Sequence, residues 1–178
     1  MTIRWIVQQS ANQQSIGRFK GPNFDARCAL GREGIATQQD MVEGDFKTPL
    51  GVYPIRQIFY RPDKIAVPKT QINVSETSKA CGWCDDPNHV DYNRYIRLPF
   101  GASHEVLWRG DNIYDLIIVI GHNDDPVIPW KGSAVFIHVA RDDYSPTAGC
   151  VALNLNDLSQ LVELLSPGDE VEILPAQA

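Results

Sequence analysis

The sequence predicts a mostly-β domain with few helices. Two short apolar segments, 114–120 and 133–140, have the composition of central strands, and β-branched and aromatic residues dominate a third segment, 51–60. Only one stretch, 156–166, repeats apolar residues at helical spacing. The chain has 178 residues, with no internal repeat and no linker-like change of composition. We therefore predict one domain that spans residues 1–178.

The first predicted strand is 2–8, where apolar and polar residues alternate, and a weaker strand follows at 26–30. In the next strand, 51–60, Pro54 indicates a sheet edge or a kink, because proline has no N–H to donate to a neighbouring strand. Apolar periodicity then disappears over 62–97, which predicts a long irregular segment. Long ordered loops of this kind are often functional.

The last third of the chain predicts an antiparallel strand pair, a helix and a final strand. A loop rich in Asn, Asp and Pro joins the two central strands named above, which favours antiparallel pairing. The helix at 156–166 is expected to begin with Asn156 as its N-cap and to end at Pro167 and Gly168. Residues 169–174 then form the final strand.

Charge and hydropathy exclude several classes of protein. Lys and Arg number 16 and Asp and Glu 22, so the formal net charge is −6. Nucleic acids and anionic membranes bind basic faces, and we expect neither as a partner. The longest strongly apolar run, 116–120, is far shorter than the roughly 20 residues of a membrane span. The N-terminal apolar run is also too short for a signal peptide, so none is expected here.

The densest chemical signal is a histidine late in a predicted strand, followed by Thr-Ala-Gly-Cys. A thiol with a pKa of about 8.5 needs a nearby base to react at neutral pH, and His138 supplies one if its loop folds back toward Cys150. Gly149 removes side-chain bulk beside the sulfur, so the amides of Gly149 and Cys150 could form an oxyanion hole. The alternative is that Cys150 is a buried small apolar residue and His138 a satisfied core residue.

The motif Cys81-Gly-Trp-Cys84 is the second candidate. A Cys-x-x-Cys pair can be a redox dithiol or half of a zinc site. A redox pair is expected to open a helix, but Asp85, Asp86 and Pro87 follow, and acidic neighbours raise thiol pKa values. The nearest further zinc ligand is His89. We interpret the pair as structural or incidental, with the redox and metal alternatives open.

Together these motifs resemble the L,D-transpeptidase (YkuD-type) catalytic domain family, whose members remodel bacterial peptidoglycan. The family motif is a His, a variable stretch and then Ser/Thr-His-Gly-Cys, and its matches here are His138, Thr147, Gly149 and Cys150. The segment 44–53 is similar to the Thr-Pro-x-Gly-x-Tyr/Phe entry into a core strand of that family. The resemblance extends over about residues 2–174.

Three positions depart from the family pattern. Ala148 replaces a second histidine, the stretch between His138 and Thr147 is shorter than usual, and Val151-Ala152 stands where many members have an arginine. These departures affect the substrate cleft more than the Cys/His pair.

The resemblance implies a β-sandwich-like fold and a covalent mechanism without metal or cofactor. His138, oriented by the carbonyl of Val139, would deprotonate Cys150, and the thiolate would attack a carbonyl of a peptidoglycan stem peptide. A diaminopimelate side-chain amine of a second stem would resolve the thioacyl-enzyme, giving 3→3 cross-links, or 1→3 cross-links from an L-Ala donor. The substrate implies a periplasmic or cell-wall location.

Two alternatives to the transpeptidase interpretation remain open at the level of sequence. The same site could act hydrolytically, as an L,D-carboxypeptidase or endopeptidase. The chain could also be a non-catalytic peptidoglycan-binding module, or a redox protein that uses Cys81 and Cys84. The oligomeric state is left open.

Six further residues are expected to line the substrate cleft. Arg141 lies in the loop after His138, and we expect it to replace the missing family arginine by pairing with a stem carboxylate. His122 and Asn123 form a polar turn after a central strand, which explains them without a catalytic role, but both could face the same cleft. The other expected cleft residues are Tyr144, Thr147 and Trp83.

Overall fold

The computed structural model describes residues 2–177, most of whose regular structure is β-strand. The strands are β1 Arg4–Gln9, β2 Ile16–Gly21, β3 Phe24–Ala29, β4 Ile35–Ala36, β5 Thr48–Pro49, β6 Gly51–Tyr60, β7 Val74–Glu76, β8 Cys81–Cys84, β9 Tyr95–Arg97, β10 His104–Val106, β11 Leu116–Ile120, β12 Phe136–Val139, β13 Val151–Leu153 and β14 Glu170–Leu174. Within residues 2–177 one helix forms, α1 Leu155–Leu164. The prediction of a mostly-β fold with a helix near the C-terminus is confirmed.

Nine strands form one sheet whose ends meet. β6 pairs antiparallel with both β14 and β11, so the order β6-β11-β12-β13-β3-β2-β1-β14 returns to β6 and closes a ring. β7 adds to β6 in parallel. Smaller sheets are formed by β10-β8-β9 and by β4-β5.

Pro54 lies within β6 and does not mark an edge of the sheet. It pairs with Glu170 of β14, while the next residue, Ile55, begins the pairing with β11. The register with β11 shifts between Val119 and Ile120, beside this point. The missing N–H of a proline is tolerated here because β6 changes its main partner at this residue.

The sequence-predicted strands at both ends of the chain and in its centre all form, with bounds shifted by a few residues. The antiparallel pairing of the two central strands, β11 and β12, is confirmed. Sequence analysis missed β2, whose residues Ile16–Gly21 include two glycines and two basic residues and therefore score poorly as a strand.

The prediction of an irregular segment over 62–97 is wrong in part. It contains β7, β8 and β9, and the last two join β10 in the three-stranded sheet. Each of these strands has only three or four residues, which is too short to show the alternation on which strand prediction depends.

The helix α1 starts earlier than predicted, and its N-cap is Asn154 rather than Asn156. The Asn154 side chain accepts a hydrogen bond from the backbone N of Asp157 at 2.9 Å. Both asparagines precede the apolar repeat, so composition alone could not separate them. The predicted apolar face is confirmed, since Leu158 and Leu161 are fully buried.

The strands β11 and β12 are buried on both faces. Along β11, Leu116, Ile118 and Ile120 point into the main core, whereas Ile117 and Val119 join a second apolar cluster on the opposite face. The small sheet β10-β8-β9 covers this second face through residues such as Cys81 and Leu107. The candidate nucleophile Cys150 belongs to the second cluster.

Across residues 2–177, α1 falls short of the length and apolar character that a membrane-crossing helix requires.

Candidate active site

His138 and Cys150 come together because β12 and β13 are parallel neighbours. In their register Ile137 lies opposite Val151 and His138 opposite Ala152. Side chains alternate between faces along a strand, so His138 and Cys150 project from the same face of the sheet. The loop between them is anchored to the residue after β3, because the backbone N of Thr147 donates to the carbonyl of Leu30 at 3.0 Å.

Cys150 is a buried thiol held by two backbone groups. Its Sγ donates to the carbonyl of Ala134 at 3.2 Å and accepts from the backbone N of Phe136 at 3.3 Å. Burial raises the pKa of Cys150 to about 12, and the nearby charge of Glu105 adds to the shift. The resting sulfur is therefore protonated at neutral pH.

His138 is oriented by its own strand. Its Nδ1 lies 2.9 Å from the carbonyl oxygen of Val139, the contact implied by the family resemblance. A carbonyl only accepts hydrogen bonds, so Nδ1 carries the proton and Nε2 keeps its lone pair. Burial lowers the pKa of His138 to about 4, which keeps the ring neutral. A neutral imidazole that lines the same cavity as a protonated thiol can act as a general base.

At Gly149, just before Cys150, both the backbone conformation and the available space require a glycine. Its φ is +142°, and a Cβ there would lie 2.8 Å from the carbonyl oxygen of Lys47. A residue with a side chain would be strained at this φ, and its Cβ would clash with the backbone of the 44–47 loop. This backbone role is separate from the expected one, which was to leave space for the substrate beside the sulfur.

The hydroxyl of Thr147 stabilises the turn before Cys150 with two hydrogen bonds. Its Oγ1 donates to the carbonyl of Cys150 at 2.6 Å and accepts from the N–H of Gly149 at 3.1 Å. The Gly149 amide, expected in an oxyanion hole, is therefore already engaged. Among the described residues the N–H of Cys150 has no hydrogen-bond acceptor, and it is the amide of the two that is free to bind an oxyanion.

Cys150 and His138 line a cavity of about 290 Å³. Arg141 and Thr147 line it too, as expected from the sequence. Arg141 is half-exposed at the rim, with a guanidinium nitrogen 3.5 Å from Asp111.

Arg109, which sequence analysis missed, forms a bidentate pair with Asp111 at 2.9 and 2.7 Å. Arg109 holds the pKa of Asp111 down at about 2.

Sequence analysis also missed the acidic residues of this cavity and a buried tyrosine. Glu43, Asp85 and Glu105 line the cavity, together with Tyr114. The Tyr114 hydroxyl donates to Glu105, and its ring packs against His138. No local motif marks these residues. They come from separate segments of the chain that the fold brings together at the cavity.

Tyr144 does not line the cavity around Cys150. Its hydroxyl accepts from Nδ2 of Asn154 at 3.0 Å, and Arg27 lies over its ring at 4.6 Å. It faces a shallow cleft on the other side of the 140–150 loop, which it shares with Arg141.

Three other expected cleft residues also lie away from the cavity. His122 is buried, with Nε2 3.1 Å from the carbonyl of Lys131. Asn123 has a positive φ of 48° and its side chain holds the 128–132 turn. Trp83 donates to Asn93 at 3.0 Å and packs against the core. Each has a structural role here, and the expectation that they would face Cys150 is not met.

The Cys81–Cys84 pair lies along a single strand, β8, and not at the start of a helix. Residues three apart in a strand point to opposite faces and lie about 10 Å apart, beyond the roughly 7 Å that a disulfide can span. Cys81 Sγ instead accepts hydrogen bonds from Ser78 N and Tyr95 Oη, both at 3.2 Å. All four cysteines are free thiols. This geometry does not support the redox-dithiol alternative.

Comparison with known proteins gives one match. No curated protein matched this chain, and no solved structure matched it. The family model of the L,D-transpeptidase catalytic domain, YkuD, matches residues 4–173 of the 178-residue chain. That match includes the strands of the ring, the small sheet and the candidate Cys/His site. The chain therefore belongs to the L,D-transpeptidase catalytic domain family.

Proposed function

We propose that this protein is a peptidoglycan L,D-transpeptidase with Cys150 as nucleophile and His138 as base. Its family acts on peptidoglycan and is generally cysteine-dependent. One observation carries the assignment: Nδ1 of His138 is fixed on the carbonyl of Val139, which leaves Nε2 as the acceptor in the cavity that Cys150 lines.

The first half of the reaction would form a thioacyl-enzyme. The S–H of Cys150 would leave the Ala134 carbonyl and give its proton to Nε2 of His138. The sulfur attacks the carbonyl carbon of the donor stem, and the free N–H of Cys150 stabilises the oxyanion. The C–N bond then breaks, and His138 returns the proton to the leaving amine.

The second half would transfer the acyl group. A side-chain amine of a second stem, such as that of diaminopimelate, gives its proton to His138 and attacks the thioester carbon. The C–S bond breaks, a new amide forms, and the Cys150 thiolate recovers the proton from His138. Water in place of the amine would give hydrolysis instead.

The pKa shifts of the site favour proton transfer during attack over a preformed ion pair. Burial raises the pKa of Cys150 to about 12 and lowers that of His138 to about 4. A resting thiolate–imidazolium pair would require the opposite shifts. The thiol would then lose its proton only as it attacks a bound substrate.

The cross-link is proposed to be 3→3, with 1→3 links from an L-Ala donor as a second product of the same chemistry. Arg141, at the rim of the cavity, is proposed to pair with a stem carboxylate. The donor and acceptor stems are peptidoglycan peptides, which places the proposed site of action in the periplasm or at the cell wall.

Mass analysis of muropeptide products tests this assignment. Purified disaccharide-peptides are incubated with the wild type, with Cys150→Ala and with His138→Gln. Cross-linked dimers from the wild type alone would support the transpeptidase, and their fragmentation would show whether the link starts at position 3 or 1. Shortened monomers without dimers would indicate a hydrolase. Unchanged muropeptides, with no acyl adduct on Cys150 in the intact protein, would contradict the assignment.

A further inference from the structure

The segment 132–136, which runs into the start of β12, holds the sulfur of Cys150. The carbonyl of Ala134 accepts from the S–H at 3.2 Å, and the backbone N of Phe136 donates to Sγ at 3.3 Å. Ala134 has a positive φ of 52°, a conformation that is unfavourable for residues with a side chain. The segment therefore depends on other groups to keep its shape.

Side chains from distant parts of the chain hold the backbone of this segment. The backbone N of Gly132 donates to the hydroxyl of Tyr92 at 3.0 Å, and its carbonyl accepts from Nδ2 of Asn123 at 2.9 Å. The backbone N of Ala134 donates to Oδ1 of Asn93 at 3.0 Å. Buried backbone groups outside a sheet need partners of this kind. Of these three side chains, Asn93 is the one that bonds to the residue whose carbonyl holds the sulfur.

Asn93 is a buried amide in which both polar atoms are fully paired. Oδ1 accepts from the backbone N of Ala134 and from Nε1 of Trp83, both at 3.0 Å. Nδ2 donates to the carbonyls of His122 at 3.0 Å and Asn123 at 2.7 Å. Two donors on one side and two acceptors on the other allow only one orientation of the amide. A buried polar group satisfied in this way fixes the arrangement of its neighbours.

The backbone of Asn93 is anchored to the small sheet. Its N donates to the carbonyl of Cys84, the last residue of β8, at 2.9 Å. The side chain lines a different pocket from the one that contains Cys150. Asn93 is therefore not placed to touch a substrate at the sulfur, and its influence on the reaction would pass through Ala134.

Three residues expected in the cleft are connected to the nucleophile through this amide. Trp83, His122 and Asn123 do not line the cavity of Cys150, but each shares a hydrogen bond with Asn93. They brace the amide on the sides that Ala134 does not occupy.

We propose that Asn93 is a positioning residue for the nucleophile, which fixes Ala134 so that its carbonyl holds the sulfur of Cys150 where attack can begin. This deepens the proposed function and rests on it. The rate of attack depends strongly on the alignment of the reacting atoms. Loss of the Asn93 side chain should therefore slow acylation of Cys150. Binding of the donor, which Asn93 does not contact, should change little.

The test removes the Asn93 side chain without straining its backbone. The φ of Asn93 is 54°, which glycine adopts without steric cost, so Asn93→Gly is the main variant. Asn93→Asp keeps Oδ1 and loses both N–H donors. Asn23→Gly is the matched control, because Asn23 is exposed and has a φ of 56°. Single-turnover acylation by a tetrapeptide stem, followed by intact mass, gives a maximal rate constant and a half-saturating stem concentration.

We expect Asn93→Gly to lower the maximal rate constant tenfold or more and to leave the half-saturating concentration within about twofold of the wild type. Asn93→Asp should retain more of the rate than Asn93→Gly, and Asn23→Gly should match the wild type. An unchanged rate constant in Asn93→Gly would overturn the inference. A loss confined to the half-saturating concentration would overturn it as well.

Ala134→Gly tests whether the effect passes through Ala134. Glycine adopts a φ of 52° without help from Asn93. In the Ala134→Gly background, Asn93→Gly should therefore cost at least threefold less in rate than it does in the wild type. Multiplicative effects of the two substitutions would contradict this route, because independent sites contribute additively to the free energy.

Hydrogen exchange at the Ala134 amide tests the same contact without a substrate. Exchange should be tenfold or more faster in Asn93→Gly, and it should stay slow in Asn93→Asp, which keeps the acceptor. Unchanged exchange in Asn93→Gly would contradict the inference. If Asn93→Gly does not fold, fast exchange in Asn93→Asp would contradict it and slow exchange would support it. Failure of the stem to acylate wild-type Cys150, together with faster exchange in Asn93→Gly, would count against the proposed function alone.

Discussion

The ring of Tyr114 packs edge-on against the imidazole of His138, with ring centroids 5.3 Å apart and ring planes at 73°. The phenol is held at its other end by the hydrogen bond to Glu105. The ring of the proposed base is therefore restrained by Tyr114 as well as by the Val139 carbonyl.

Tyr114→Phe and Tyr114→Leu separate the roles of the ring and the hydroxyl. Phenylalanine keeps the edge contact, so kcat should stay within about threefold of the wild type. Leucine removes the planar contact, and the mispositioned imidazole should lower kcat about tenfold or more. Steady-state kinetics on the donor stem measures both. A kcat equal in the two variants would argue that the ring does not position His138.

Alkylation of Cys150 by iodoacetamide should rise steeply with pH. Because the pKa of the thiol is about 12, the thiolate fraction should grow about tenfold per pH unit from pH 7 to 10, without a plateau. Glu105→Gln removes one cause of the shift and should speed labelling at pH 8 several-fold. Peptide mass mapping follows Cys150 itself, with Cys150→Ala as the background. A plateau near neutral pH would indicate a preformed thiolate.

Gly149→Ala should destabilise the protein and disturb the nucleophile. The substitution combines a φ of +142° with a Cβ 2.8 Å from the Lys47 carbonyl, a strain of roughly 1–3 kcal/mol. Thermal unfolding should show a clearly lower Tm, and acylation of Cys150 should slow. Gly101→Ala is the control, since a Cβ there meets nothing within 4 Å. Equal Tm values for the two variants would refute this account of Gly149.

Asn154→Ala should cost about 1 kcal/mol of unfolding free energy, because it removes the cap of α1. Asn156→Ala lies inside the first turn and caps nothing, so its effect should be small. Urea unfolding of the two variants compares the positions directly. A larger loss from Asn156→Ala would contradict the observed helix start.

Arg141→Ala should raise KM for the donor stem more than it lowers kcat. The residue lies at the cavity rim, with a side chain 52% exposed, so its pairing with a carboxylate would be present in the ground state and the transition state alike. Arg18→Ala, a similarly exposed residue on β2, should leave both constants unchanged. An unaltered KM in Arg141→Ala would remove this residue from the binding site.

The elements with strong local patterns could be predicted from sequence. β6 has its predicted bounds because six of its ten residues are β-branched or aromatic, and the apolar face of α1 follows from its spacing. The strands β8, β9 and β10 could not be predicted, because each is stabilised by its neighbours and by the face of β11 and β12 that it covers. Short strands of this kind acquire their structure from tertiary contacts.

Some residues of the candidate site could likewise be predicted from a local sequence motif, and others could not. Cys150, His138, Gly149 and Thr147 share one sequence motif, and the structure places all four at the cavity. Glu105 and Tyr114 belong to no motif and are joined only through the fold. Conversely, His122, chosen because it follows a central strand in sequence, lines a different pocket from the one that contains Cys150. Sequence proximity does not determine which face a side chain occupies.

A closed sheet offers a substrate no strand edge to pair with. In residues 2–177, β13, which follows directly after Cys150, has β12 on one side and β3 on the other. A peptide that reaches the sulfur therefore cannot be added as a strand beside β13. At this strand it must instead be held by contacts to its side chains and end groups.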